Sequence, residues 1–448
     1  MDGGEGIAHK RFSTGPAVLR IRLRRNSYRA RDLLRHMTSC VRQPSRVVVI
    51  NDASVAKGGA TGLAIASIRW FRERDVPVTM IVGDGGVNPE LVALGVEIVA
   101  ACGQALTVAP PATSLVNGLY NRRAETIIGA WIAANDGPGV VYHLHGWSKI
   151  LSPSVFAALG PVRRRVVVSA HDFFLVCPNG GFTVFPKNEA CRRVPLGGDC
   201  LTTNCDKRNY AQKTWRVARQ AVANYLRHRH MRDVPIVAIH EGMAPLLTLG
   251  GLAERNIVVL RNPVVPFRAD RVRAEHNRKA VFIGRLDHEK GPDLAAAAAA
   301  AAGAPLQIIG DGPLRAQIAQ AHPNVEFAGW RTREDIGRLV GDARLLLMTS
   351  RYPEPFGLVL IEALWSGLPV VVARDALLAE EIIRLGVGAS ANPFETSEFG
   401  ATLATLMADD EAVARMSRKA FGDIPRIASD PASWTDGLLE LYRTRLGE

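Results

Sequence analysis

The chain has 448 residues, of which 47% are hydrophobic and 22% charged, the make-up of an ordinary globular protein with room for two or three domains. No apolar run approaches the roughly 20 residues that span a bilayer, and residues 1–13 lack the apolar core and cleavage pattern of a signal peptide. The expected location is therefore the cytoplasm, with at most peripheral attachment at the inner face of the cytoplasmic membrane.

The net charge of +12 suits anionic lipid, phosphorylated substrates or nucleic acid. Nucleic acid is not expected, because no known nucleic-acid module occurs and no aromatic residues interleave with the basic ones. Residues 1–44 form a basic extension. In it Arg20, Arg22, Arg24, Arg25, Arg29, Arg31 and Arg35 alternate with Leu19, Ile21, Leu23, Leu33 and Leu34. That pattern suits an interfacial helix on an anionic membrane surface, and equally a solvated arm.

Regular structure is expected from residue 46. Strand 46–50 runs into Asn51-Asp52 and the loop Lys57-Gly58-Gly59-Ala60-Thr61-Gly62, and residues 63–72 turn helical. Strand, glycine loop and helix open a doubly wound sheet. The loop has neither dinucleotide nor P-loop spacing, so its glycines mark a close approach to a ligand or a neighbouring domain. Strands follow at 77–82, 96–100, 140–143, 166–170, 236–239 and 257–260, and the polar stretch 268–279 reads as a linker. A second series starts at strand 280–284 and continues at 306–309, 325–327, 343–348 and 370–373. Its first helix contains eight consecutive alanines, residues 295–302, and alanine is the best helix former. Residues 412–446 are helical in pattern. The expected fold is α/β, with two Rossmann-like doubly wound domains facing a cleft. The first spans 45–265 and the second 268–415, and C-terminal helices in 416–448 pack back towards the first.

Three stretches could carry chemistry. Gly284-Arg285-Leu286-Asp287-His288-Glu289-Lys290-Gly291 ends a strand and sets two cations five residues apart, a combination suited to a diphosphate. Ile309-Gly310-Asp311-Gly312-Pro313 is a tight turn at a helix start. Glu354-Pro355-Phe356-Gly357-Leu358 lies where a strand hands over to a helix that contains Glu362, the place where open α/β sheets bind ligands. Carboxylates there can grip vicinal hydroxyls while the first helical N–H groups favour an anion.

These three segments, in this order and at these separations, resemble the nucleotide-sugar domain of glycosyltransferase family 4, whose members have the GT-B fold. The likeness is concentrated in residues 235–390. It implies retaining sugar transfer from a nucleoside-diphosphate-sugar to a saccharide or lipid-linked acceptor, with no metal needed for the chemistry. It further implies that Arg285 and Lys290 neutralise the pyrophosphate and that Glu354 contacts sugar hydroxyls. Gly284 and Gly310 would border the donor, and Phe356, Gly357 and Leu358 would bring backbone N–H groups to it. Glu362 would take the ribose hydroxyls, Gly58 and Gly59 would lie near the phosphates and acceptor, and His171 would reach the donor sugar. A front-face route, with the departing phosphate as base, fits the absence of an obvious nucleophile on the first domain. Asp172 is the alternative nucleophile, with a turn role as its plainer reading.

Other GT-B activities, such as an epimerase, and a non-catalytic sugar-nucleotide-binding subunit are the competing assignments. A phosphorylase would need a pyridoxal-binding lysine, and none is identifiable.

Histidines and cysteines remain. His143 and His145 share one side of a strand end, where they could line the cleft, bind a metal or, more simply, pack and hydrogen-bond within the domain, and His145 is the acceptor-side candidate. Cys177, Cys191, Cys200 and Cys205 lie in a Gly-, Pro- and Asn-rich stretch that a structural zinc or an iron–sulfur cluster could staple, although no Cys-x2-Cys pair is present. Free thiols or a partial disulfide are the alternatives.

Overall fold

The computed structural model describes residues 43–56, 58–422 and 427–447. The basic extension, apart from its last two residues, Cys40 and Lys57 lie outside them, and so does the expected membrane-binding segment.

Two parallel sheets organise the described chain. The first is built from β1 (Arg46–Asn51), β2 (Val78–Val82), β3 (Glu97–Ala100), β4 (Val140–Leu144) and β5 (Val166–Ala170), then, after the short antiparallel pair β6 (Thr183–Val184) and β7 (Glu189–Ala190), from β8 (Ile236–Ala238) and β9 (Ile257–Val259). Its order is β3-β2-β1-β4-β5-β8-β9. The second contains β10 (Lys279–Ile283), β11 (Leu306–Ile309), β12 (Glu326–Gly329), β13 (Ala343–Met348), β14 (Val370–Ala373) and β15 (Gly388–Ala391), ordered β12-β11-β10-β13-β14-β15. Both orders are doubly wound: the chain builds outwards on one side, then returns and builds on the other. The reversal falls between β1 and β4 in one sheet and between β10 and β13 in the other, and the strand ends that border these two crevices carry the motifs.

Helices cover both faces, so the strands read as continuous apolar runs. Successive side chains of β1 nevertheless serve opposite layers. Val48 and Ile50 join the core that holds Tyr142 and Phe156, whereas Val47 and Val49 join a second core with Ile68 and Phe71.

Two expectations are corrected. Residues 268–279 are not a free linker. Val272 donates its N–H to the Ser366 carbonyl, and Val272 and Ala274 are buried on the second domain. A division at 416 cuts through the helix Asp410–Gly422, which stays with the second domain through contacts to the helix Leu358–Trp365 and to residues 274–276. Among the described residues the return to the first domain starts where Ser429 bonds Asn262 and Val264 and is completed by Pro431–Gly447. Trp434, Leu438, Leu439 and Tyr442 of that helix enter the core beside β1 and β2. A sixth strand of the second sheet, β15, was not expected, because it has no strong sequence signal. Its Gly-Ala-Ser-Ala is neither β-branched nor aromatic, and it is held as a strand by full parallel register on β14.

Candidate functional site

A cleft of about 1180 Å³ runs between the two sheets. One wall carries Gly58, Gly59, His145, His171 and Asp172. The other carries Gly284, Arg285, Lys290, Gly310, Glu354, Phe356, Gly357 and Leu358. The walls touch at Gly59, where an added Cβ would sit 3.3 Å from the Leu358 side chain. Any side chain at residue 59 would therefore press on the turn opposite.

The second-domain wall is built from strand ends. After β10 the chain forms a 3-10 turn, His288–Lys290, whose first N–H groups are capped by the Asp287 carboxylate at Lys290 N, 3.3 Å. Arg285 stands half out in solvent and pairs with Asp287 at 2.9 Å. Lys290 turns inward. Its ammonium lies 2.5 Å from Glu354 Oε1 and 3.2 Å from the Tyr352 hydroxyl, and Ser350 Oγ donates to Glu354 Oε2 at 2.5 Å. Burial works against the Glu354 carboxylate, but Lys290 and the Ser350 hydroxyl outweigh it and hold the carboxyl below its usual range. Burial likewise works against the ammonium, and Glu354 outweighs it in the other direction. The two groups thus form a charged pair that a ligand can open from the cleft.

Gly357 begins the helix Leu358–Trp365 in the left-handed region, φ +67°, which a side chain would strain. Gly310 has a structural reason to be glycine. An added Cβ would come 1.8 Å from the Gly284 carbonyl oxygen. The turns after β10 and β11 lie backbone against backbone there.

Glu362 differs from the other named residues. It is not among the residues lining the cleft. Its carboxylate is bound by Arg333 at 2.5 Å. Burial raises its affinity for a proton more than Arg333 lowers it.

The first-domain wall is a row of rings. His143, fully buried on β4, bonds Tyr442 Oη at 2.6 Å and Ser169 Oγ at 2.9 Å. The His145 ring lies tilted against it and stacks on His171, with His145 Nδ1 3.0 Å from His171 Nε2. Burial, helped at His143 and His145 by the neighbouring rings, pushes all three well below the usual histidine range, His143 to about 3, so they are neutral near pH 7. His145 is only 4% exposed and gives one ring nitrogen to His171. It lines the cleft, and its ring packs against the more exposed His171. Asp172 is exposed and accepts the Phe174 N–H at 3.0 Å, a turn bond within its own loop.

The four cysteines do not meet as one group. Among the described residues no group of three or more His, Cys, Asp or Glu side chains could hold a metal ion. Cys177 meets Asn179, Cys191 meets Arg193, and Cys200 and Cys205 face Lys213. The expectation of a four-cysteine zinc or cluster site is corrected accordingly. A lysine ammonium stands beside two of the four sulfurs.

Two cleft residues escaped the motif reading. Asp52, at the end of β1, accepts the N–H groups of Lys149, Ile150 and Leu151 at 2.8–2.9 Å and so shapes the loop after His145. Its place at a strand end beside the crevice was the signal that could have found it. Trp330, just past β12, lines the cleft with its side chain largely exposed. An exposed indole at a strand end is unusual enough to notice, but nothing in its sequence neighbourhood links it to the other motifs.

The chain is similar to known proteins in sequence and in fold. Residues 266–423 match the family model of glycosyl transferases group 1. A glycogen synthase of Mycobacterium tuberculosis (strain CDC 1551 / Oshkosh) is 32% identical over 185 residues, 38% of this chain and 44% of that protein. A GDP-mannose-dependent alpha-(1-6)-phosphatidylinositol dimannoside mannosyltransferase of M. tuberculosis (strain ATCC 25177 / H37Ra) is 37% identical over 120 residues, 25% of this chain and 31% of that one. The chain thus spans less than half the length of these curated relatives. Among solved structures, Anabaena HepE in complex with UDP-glucose superposes with a TM-score of 0.62 at 17% identity, covering 89% of this chain and 99% of that one.

The fold is therefore GT-B, two parallel-sheet domains across a cleft with a returning C-terminal helix. Within it, residues 266–423 match the glycosyl transferases group 1 model.

Proposed function

We propose that this protein is a retaining glycosyltransferase that moves a sugar from a nucleoside-diphosphate-sugar to a saccharide or lipid-linked acceptor, without using a divalent metal for the chemistry. The observation that carries the reading is the Lys290–Glu354 pair with Arg285 beside it, on the cleft wall facing Gly58 and Gly59. A diphosphate entering that wall meets two cations, which can neutralise the leaving group where other transferases use an ion. Lys290 then exchanges part of its bond to Glu354 for phosphate oxygens. The freed carboxylate oxygen faces the sugar and accepts from its hydroxyls.

The Gly58–Gly59 loop, with no side chains of its own, lets backbone approach the phosphates. His171, held neutral and oriented by His145, offers one nitrogen to the donor sugar. The transition state resembles an oxocarbenium ion, so stabilising the leaving group matters more than a strong base. A front-face route with the departing phosphate as base is favoured because the first-domain carboxylates at the cleft are already engaged by backbone, Asp52 by three N–H groups and Asp172 by the Phe174 N–H; Asp172 is the alternative nucleophile. Glu362, which does not line the cleft, would take the ribose hydroxyls only once its pair with Arg333 opens towards the donor. Trp330 offers an apolar face for the base.

The relatives act on or bind different nucleotides, UDP in one solved structure and GDP-mannose in a curated name, so the donor has to be found by test. A thermal-shift panel of nucleotide-sugars on the full chain should show one donor raising the melting temperature, because a ligand that binds only the folded state stabilises it. Nucleotide release from that donor in EDTA supports transfer. Binding without release, with any acceptor, would make the protein a sugar-nucleotide-binding subunit instead. Membrane attachment through residues 1–44, proposed from their charge pattern alone, is checked by co-sedimentation with anionic vesicles; equal pelleting with and without that segment would refute it.

A further inference from the structure

Lys213 lies on the long helix Tyr210–His230 and is fully buried. Its hydrogen-bond partners are sulfurs: Cys205 Sγ at 3.1 Å and Cys200 Sγ at 3.4 Å. The nearest acid in sequence, Asp206, is engaged elsewhere, by the Arg216 guanidinium at 2.7 Å and the Arg208 N–H at 2.9 Å. A buried ammonium needs a counter-charge. Here the groups able to supply one are two thiols, each of which becomes an anion on losing a proton. A lysine beside a thiol favours the thiolate, and the thiolate is the reactive form.

Both sulfurs touch one nitrogen, so they can be no further apart than those two contacts allow. Cys200 sits in the short helix Gly198–Thr202, and Cys205 follows it after a brief loop. The segment next reaches across the molecule: Lys207, two residues past Cys205, is ion-paired with Glu289 of the second domain, the residue before Lys290.

We propose that Cys200, Cys205 and Lys213 form a peroxide-oxidisable dithiol site, and that closing its disulfide disturbs the Lys207–Glu289 contact on the cation loop. The chemistry is balanced. The Cys205 thiolate attacks one oxygen of hydrogen peroxide, an S–O bond forms, the O–O bond breaks, and hydroxide leaves as water with a proton from the site. The Cys200 thiolate then attacks the sulfenic sulfur, the S–S bond forms, and a second hydroxide leaves as water. Two thiols are oxidised by two electrons in all, and one peroxide is reduced to two waters. Lys213 stabilises each thiolate before attack and stands beside the departing hydroxide. Residual exposure of 7% at Cys200 and 5% at Cys205 leaves a path for a molecule close to water in size.

The test uses the reduced full chain, hydrogen peroxide, alkylation of remaining thiols and peptide mass mapping. The expected product is a Cys200–Cys205 disulfide, formed before the exposed Cys102 is consumed. Lys213→Met should slow it about ten-fold or more, while Lys213→Arg, which keeps a cation, retains most of the rate. Hydrogen exchange in residues 285–291 should rise on oxidation in the wild type and stay unchanged in Cys200→Ser, which stops at the sulfenic acid. Oxidation confined to Cys102 or Cys191 would overturn the site. So would a wild-type rate in a folded Lys213→Met. Unchanged exchange at 285–291 after complete disulfide formation would overturn the link to the cation loop.

Discussion

At the scale of single residues, the cleft turns on one ion pair. Glu354 is buried and Lys290 mostly so. Removing one partner leaves a desolvated charge without its opposite, which typically costs about 3–5 kcal/mol. Glu354→Ala should therefore lower both stability and turnover. Lys290→Ala should abolish transfer while the fold persists. The double variant Lys290→Met/Glu354→Leu should be more stable than the sum of the two single losses predicts, as measured by urea midpoints in a double-mutant cycle. Additive losses would mean that the pair is not coupled in solution. Trp330→Ala, at an exposed position, should leave stability within about 0.5 kcal/mol and weaken binding of the donor by about ten-fold, read by titration calorimetry. Unchanged affinity would remove the indole from the base site.

At the scale of elements, two tight packings hold the site in shape. The turns after β10 and β11 meet at Gly310, where a methyl group has no room. Gly310→Ala should cost about 1–3 kcal/mol or more, the range of overpacking. It should also reduce turnover by displacing the loop that carries Arg285. The second packing is the returning helix Pro431–Gly447. Leu438 is fully buried there among first-domain side chains, and Tyr442 bonds the His143 ring. Leu438→Ala should destabilise by about 2–5 kcal/mol. Tyr442→Phe should cost about 1–3 kcal/mol, because it leaves a buried imidazole nitrogen unpaired.

For the whole molecule, the buried rings set how stability depends on pH. An unfolded histidine titrates near 6.5, whereas folded His143 resists protonation down to about pH 3, because burial and the nearby His171 disfavour its charge. His145 is shifted in the same direction by burial. Below about pH 6.5 the unfolded chain binds protons that the native chain refuses, so stability falls as pH falls. The slope approaches about 1.4 kcal/mol per pH unit for each such ring. Glu354, whose folded carboxyl titrates below its usual range, adds a separate loss below about pH 4.5, its unfolded value. Urea melts between pH 7 and pH 5 should show the histidine loss, and a flat profile there would mean the rings protonate in place.

How much of this was legible in the sequence follows from the kind of signal each part leaves. Parallel strands buried on both faces leave continuous apolar runs, so β1, β5 and β13 stand out, and two such series determine two domains. The turns that bear Arg285, Lys290, Glu354 and Gly357 each combine a strand end with a glycine, and their order along the chain carries the likeness to one family. β15 left no run to read, since register on a neighbour makes it a strand. The point at which the chain crosses back was hidden inside one long helical pattern, because periodicity marks an apolar face and not the domain that face meets. Spacing also suggested that four cysteines share a metal. Only the folded chain, by bringing Lys213 between two of them, decided otherwise. It alone joined Tyr442 to His143, His145 to His171 and Lys207 to Glu289, since pairs up to 299 residues apart become neighbours through packing and leave no local pattern.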